Sequence, residues 1–135
     1  MHLLPLTCPN GHLFVTIGDH DWLLDTGSPT SFGNIPSSVI ENREFSISNN
    51  YLGLTAVQLS EFNSYQTARI IGANVLNEFD IILDVPKEWL LFTDAQIESD
   101  GDVIETDEFM GIPIIQTNII GTVRRMFFDS GAQIL

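Results

Sequence analysis

Cysteine occurs once, as Cys8, which excludes an intrachain disulfide and a cluster of thiolate metal ligands. A small thiol near the start of the chain is its expected role. Basic residues are nearly as scarce: 5 Lys and Arg stand against 18 Asp and Glu, a formal charge of −13. Such a surface repels phosphates, so nucleic acid is not an expected partner. The acidity keeps a protein soluble and suits neutral or basic substrates. No apolar run reaches transmembrane length, and no membrane partner is expected. The opening Met1-His2-Leu3-Leu4-Pro5-Leu6 lacks a basic stretch and is interrupted by proline, so it does not read as a secretory leader. A soluble, cytoplasmic protein is the expectation.

What is present is enough apolar residue, 44% of 135 positions, to bury the core of one compact unit. One stretch organises it. Trp22-Leu23-Leu24-Asp25-Thr26-Gly27-Ser28 delivers an aspartate from an apolar strand into a tight turn, and Met126-Phe127-Phe128-Asp129-Ser130-Gly131-Ala132 does the same near the end. Each aspartate follows a hairpin pattern. Leu13-Phe14-Val15-Thr16-Ile17 alternates as a strand, Gly18-Asp19-His20-Asp21 turns, and Trp22-Leu23-Leu24 returns. Gly111 to Ile120, a turn at Gly121, and Val123 to Phe128 repeat the layout. Gly11 to Asp25 spans 14 positions and Gly111 to Asp129 spans 18, so the second hairpin reads as four residues longer.

Between the turns, residues 37–42 after Pro36 read as a short helix, and residues 44–47 as a strand. Thr55-Ala56-Val57-Gln58 has the spacing of a capping box, which predicts a helix over residues 55–63 with Leu54 and Leu59 as a hydrophobic staple. Arg69-Ile70-Ile71-Gly72-Ala73-Asn74-Val75-Leu76 brings an apolar pair to a glycine. Residues 79–85, a turn at Pro86-Lys87-Glu88, and Trp89-Leu90-Leu91-Phe92-Thr93 then form a closing hairpin. Residues 94–108 are acidic and poor in apolar side chains. Val103 stands where a calcium loop requires glycine, so this stretch reads as a solvated link. Asp19, His20 and Asp21 are consecutive turn residues whose side chains splay, so no metal is expected there. No cofactor is called for.

The paired Asp-Thr-Gly and Asp-Ser-Gly turns, with Ile70-Ile71-Gly72 in order after the first, resemble the aspartic peptidases, most closely the compact, bacterial-type, retropepsin-like branch. The resemblance implies an all-β acid-protease fold, a closed β-barrel with a few short helices. It implies a first lobe over residues 1–95, an acidic link over 96–108, and the start of a second lobe over 109–135. It further implies that Asp25 and Asp129 are a catalytic pair that activates water against a peptide bond in a peptide or protein substrate, without metal or cofactor. Thr26, Gly27, Ser28, Ser130 and Gly131 would support the loops, the hydroxyls bonding across the axis and the amides around the glycines donating to the carboxylates. The 47 positions from Asp25 to Gly72 leave little room for the flap that covers substrate in the family. Asn49-Asn50-Tyr51-Leu52-Gly53 is the tip-like stretch, and a plain loop is its expected form. No counterpart of Ile70-Ile71-Gly72 follows Asp129, so either a homodimer or a further C-terminal half of the second lobe is expected. The residues themselves leave other readings open. One is an interaction module that keeps the turns as structure. Another is a serine hydrolase on Ser28 or Ser130, disfavoured because the Gly-x-Ser-x-Gly elbow is missing.

Overall fold

The computed structural model describes residues 2–61 and 66–131. Its strands are β1 (His2–Thr7), β2 (Phe14–Ile17), β3 (His20–Leu24), β4 (Phe32–Gly33), β5 (Ser37–Ile40), β6 (Arg43–Ser46), β7 (Arg69–Ile71), β8 (Asp80–Asp84), β9 (Trp89–Thr93), β10 (Asp107–Phe109), β11 (Ile112–Ile119) and β12 (Thr122–Phe127). The helices are short: α1 (Ala56–Ser60) and α2 (Ala73–Leu76). The chain is therefore mostly β. Seven strands form one sheet in the order β4-β7-β3-β2-β1-β9-β8, β10-β11-β12 form a second, and β5-β6 pair alone. Among the described residues the large sheet is open, not the closed barrel that the resemblance implied. Its ends, β4 and β8, do not pair, and β4 is only two residues long. No helix among the described residues is long and apolar enough to cross a membrane.

The centre of the sheet explains the apolar runs on either side of Asp25. β3 pairs antiparallel with β2 on one side and parallel with β7 on the other, with Leu23 opposite Ile70 and Leu24 opposite Ile71. A strand covered on both faces needs no polar alternation. Trp22, Leu24 and Ile71 enter the main core with Val15, Val75, Leu90 and Phe92, whereas Leu23 and Ile70 join Phe32 and Ala56 on the opposite face. The main core is completed by Phe79, whose ring meets those of Phe45 and Phe92 at 5.7 and 5.3 Å.

One local expectation needs correction, and two further stretches prove to be strands. Residues 37–42 are not a helix: Ser37–Ile40 is β5, and Glu41 and Asn42 are both left-handed (φ 51° and 63°), turning the chain directly into β6. A two-residue hairpin turn demands positive φ at both positions, and β-branched Val39 and Ile40 pack well in a strand. The opening segment, which in the sequence is notable only as a poor leader, is β1. Its first half pairs with β9 and its second with β2, and Pro5 lies at the changeover, where a strand's missing donor is tolerated. The short β10 takes the last two residues of the expected link, Asp107 and Glu108, together with Phe109. The helix at Thr55 forms with its capping box: Gln58 N donates to Thr55 Oγ1 at 3.1 Å and Thr55 N to Gln58 Oε1 at 2.9 Å. It runs Ala56–Ser60, and the expected continuation through 62 and 63 lies outside the described residues.

Gly72 sits where the chain leaves β7 and passes against the loop after Asp25. It has ordinary negative φ, so its glycine is required by space and not by conformation. A Cβ there would lie within 2.9 Å of Thr30 O and still nearer Ser28 O. Ser28 O also accepts from Ala73 N at 2.7 Å, so the carbonyl cannot swing away without unpinning α2. Gly72→Val is accordingly expected to cost about 2–4 kcal/mol by overpacking and to lower Tm by roughly 10 °C. A calorimetric Tm within about a degree of wild type would refute the close approach.

Candidate active site

β3 ends at Leu24, and Asp25 N donates to Ile71 O at 3.0 Å, so β7 holds the base of the first turn from behind. Gly27 N donates to Asp25 Oδ1 at 2.9 Å. At the second turn Gly131 N donates to Asp129 Oδ1 at 3.0 Å, repeating the geometry. The two turns are then locked to each other through their hydroxyl residues. Thr26 N donates to Ser130 Oγ at 3.0 Å, and Ser130 N donates to Thr26 Oγ1 at 2.9 Å. Each hydroxyl also donates across the axis, Thr26 Oγ1 to Phe128 O at 2.6 Å and Ser130 Oγ to Leu24 O at 2.8 Å. The acceptors are the residues just before the two aspartates, so the arrangement has approximate twofold symmetry.

This lock fixes the carboxylates face to face. A Cβ on Gly27 would strike the Asp129 carboxylate and one on Gly131 would strike that of Asp25, so each glycine is required by the opposite aspartate. The electrostatic consequence falls on Asp25. Burial is the largest cause, followed by the facing charge of Asp129 and a hydrogen bond to its carboxyl. Together they push Asp25 from an ordinary 3.8 up to about 7, against the lowering effect of the Gly27 and Ser28 amides.

The sequence points to Asp25, Thr26, Gly27, Ser28, Asp129, Ser130 and Gly131, and the fold brings all seven to this one place. Ser28 plays a different part from the others: it is buried, and its Oγ donates to Thr30 O at 2.7 Å inside its own loop. Ala132 lies outside the described residues. Two supporting residues add to the expected set. Ser31, fully buried, accepts from Gly72 N at 2.8 Å and donates from both N and Oγ to Asn74 Oδ1 at 2.7 Å. The available clue is Asn74 directly after Gly72-Ala73, a polar side chain in an otherwise apolar run.

Beside Asp25 opens a cavity of about 320 Å³ lined by Phe32, Tyr51, Leu52, Leu54, Leu59 and Ile70. Its rim is the stretch expected to be a plain loop. There Tyr51 and Leu54 exchange backbone hydrogen bonds at 2.8 and 3.0 Å across Leu52 (φ 53°) and Gly53 (φ 84°), forming a miniature hairpin tip. A larger cavity, about 660 Å³, lies between Pro9, Asn10 and residues 66–69, and touches neither aspartate turn. Among the described residues no three His, Cys, Asp or Glu side chains are grouped to hold a metal ion. No protein-family model matches this chain, and neither a curated protein nor a solved structure matches it.

The raised Asp25 has a signed consequence for stability. Between the ordinary 3.8 and about 7 the folded chain binds this proton more tightly than the unfolded chain does. This group's contribution is therefore fully present below 3.8 and is lost as pH rises through about 7. Asp25→Asn, which cannot ionise, is expected to melt above wild type at pH 8, with the difference vanishing near pH 3.8. A difference independent of pH across this range would contradict the assignment.

Proposed function

We propose that the chain carries the catalytic centre of an aspartic endopeptidase of retropepsin-like type, in which Asp25 and Asp129 hydrolyse peptide bonds through an activated water. The observation that carries the reading is the reciprocal Thr26–Ser130 lock, which holds two carboxyl groups face to face with one of them raised to about 7. Carboxylates arranged in this way share one proton and titrate as a pair, the aspartic-protease dyad being the general example of such coupling.

The chemistry follows from that shared proton. Asp25, whose proton affinity is raised, holds it at rest, and the facing carboxylate accepts a proton from a water between them. The water oxygen then bonds to the scissile carbonyl carbon as the Asp25 carboxyl donates to the carbonyl oxygen. Collapse of the tetrahedral species re-forms the carbonyl and returns its hydroxyl proton to Asp25, breaks the C–N bond, and passes the proton taken from water to the leaving amine. Gly27 N and Gly131 N keep the two carboxyl groups oriented throughout. The apolar cavity beside Asp25 gives an extended substrate a place to bury one side chain, under the Tyr51–Leu54 tip.

Cleavage of a diverse peptide library tests the proposal. Asp25→Asn and Asp129→Asn are each expected to lower kcat by ~10²–10⁴-fold or more, because one carboxyl cannot be acid and base at once. The double variant should be scarcely worse, since the groups act as a unit. Activity should decline as pH rises through about 7, where the shared proton is lost. Hydrolysis that survives either substitution would place the chemistry elsewhere, and binding of peptides without cleavage at any pH would favour an interaction module.

A further inference from the structure

We propose that the contact between Asn77 and Gly111 is a positioning device for the second carboxylate, fixing the angle at which the β11–β12 hairpin presents Asp129 to Asp25. Its catalytic consequence rests on the dyad reading above; its structural content does not. The hairpin must aim one side chain, yet no described residue from Gly101 to Gly131 is buried. β3 is oriented by side chains packed on both faces, but β12 is exposed along its whole length and has no such support. Specific contacts to the first unit have to take that role.

Two anchors do so. One is the lock between Thr26 and Ser130, at the end of β12. A single anchor resists separation but leaves a hairpin free to pivot about it. The second anchor lies in the turn that leads into the neighbouring strand. At the β10–β11 turn Gly111 is left-handed, with φ +81°, and its carbonyl accepts from Asn77 Nδ2 at 2.9 Å. It lies so close to α2 that a Cβ would come within 2.9 Å of that same Nδ2 and 3.2 Å of the Ala73 side chain.

These anchors belong to one closed circuit. Asn77 ends α2, whose first turn is bolted to the loop after Asp25: Ala73 N donates to Ser28 O at 2.7 Å, Asn74 N to Pro29 O at 3.2 Å, and Asn74 Oδ1 receives Ser31. On the other side, two residues beyond Gly111, Pro113 O accepts from Phe128 N at 2.8 Å, directly before Asp129. The path therefore runs from Asp25 through α2, Asn77, Gly111, Pro113 and Phe128 to Asp129, and returns through Ser130 and Thr26. Opening it at Asn77 leaves the hairpin on one anchor.

The test uses Asn77→Asp, which keeps the shape but sets a carboxylate against the Gly111 carbonyl, and Gly111→Ala, which crowds the same contact from the other side. Asn77 is exposed, so the fold should survive its replacement. The amides of Thr26 and Ser130 report opening of the lock, because each donates to the other residue's hydroxyl. Hydrogen exchange at these two amides is expected to quicken by roughly threefold to tenfold, the range of one lost hydrogen bond. The core amides of Leu23 and Ile70 should be unchanged. With cleavable peptide, kcat should fall roughly tenfold at constant KM, as for a small misplacement of a reacting group. Arg125→Ala, which removes an exposed ion pair to Asp107 on the same sheet, should alter neither readout. Exchange at Thr26 and Ser130 that stays at the wild-type rate overturns the proposal, as does quickening matched at Leu23 and Ile70, which signals only a less stable fold. If the wild-type chain cleaves nothing, the peptidase reading fails while the exchange measurement still decides the anchor.

Discussion

Two hydroxyl groups, on Thr26 and Ser130, make four hydrogen bonds across one axis, and the candidate site depends on them. Each accepts a hydrogen bond from the opposite turn's amide and donates one to the carbonyl preceding the opposite aspartate. Four such bonds contribute about 2–6 kcal/mol net. Two full charges at ~4 Å in an effective dielectric of about 20 repel by about 4 kcal/mol. The lock and the repulsion are of one size, so holding both carboxylates ionised would consume most of what the lock supplies. Retaining a proton on the pair removes the conflict, and this repulsion adds to burial, the larger cause, in raising Asp25.

The first unit is built to bear that strain. β7 passes behind the Asp25 turn and gives it a backbone bond from Ile71 O, while alternate residues of β3 and β7 sink into cores on both faces. Gly72 then lets the chain pass against Ser28 and Thr30 and start α2 at once. The second turn reaches a matching geometry by other means. Its hairpin carries exposed Val123, Phe127 and Phe128, and it is held by polar contacts at its base. The same local chemistry is thus supported by buried packing on one side of the axis and by a few directed hydrogen bonds on the other.

Much of this is legible in the sequence wherever the cause is local. An aspartate, a hydroxyl residue and a glycine in a row set up each turn locally, and both copies form, whereas the cross-axis bonds are implied only by the resemblance of the pair. Thr55 and Gln58 satisfy one another's backbone within a single helical turn, so that start is equally plain. What escapes a sequence reading depends on partners distant in the chain. Nothing near Pro5 tells that one half of β1 will pair with β9 and the other with β2. Residues 36–40 carry Pro36, Ser37 and Ser38 before Val39 and Ile40, a pattern that suits a helix start until the left-handed Glu41-Asn42 turn fixes a hairpin. The cavity beside Asp25 draws on Phe32, Tyr51, Leu59 and Ile70 from four separate segments, and Asn77 meets Gly111 only because α2 and the β10–β11 turn come together in space.

Whether the facing carboxylate changes the proton affinity of Asp25 separates a paired site from two independent turns. Carbon-detected NMR of the Asp25 carboxyl group, followed through a pH titration in wild type and in Asp129→Asn, measures this without reference to any substrate. The expected inflection is at about 7 in wild type. In the variant it should move down yet stay above 3.8, because burial persists when the facing charge is gone. An inflection near 3.8 in wild type, or one that does not move when Asp129 is replaced, would contradict the paired site.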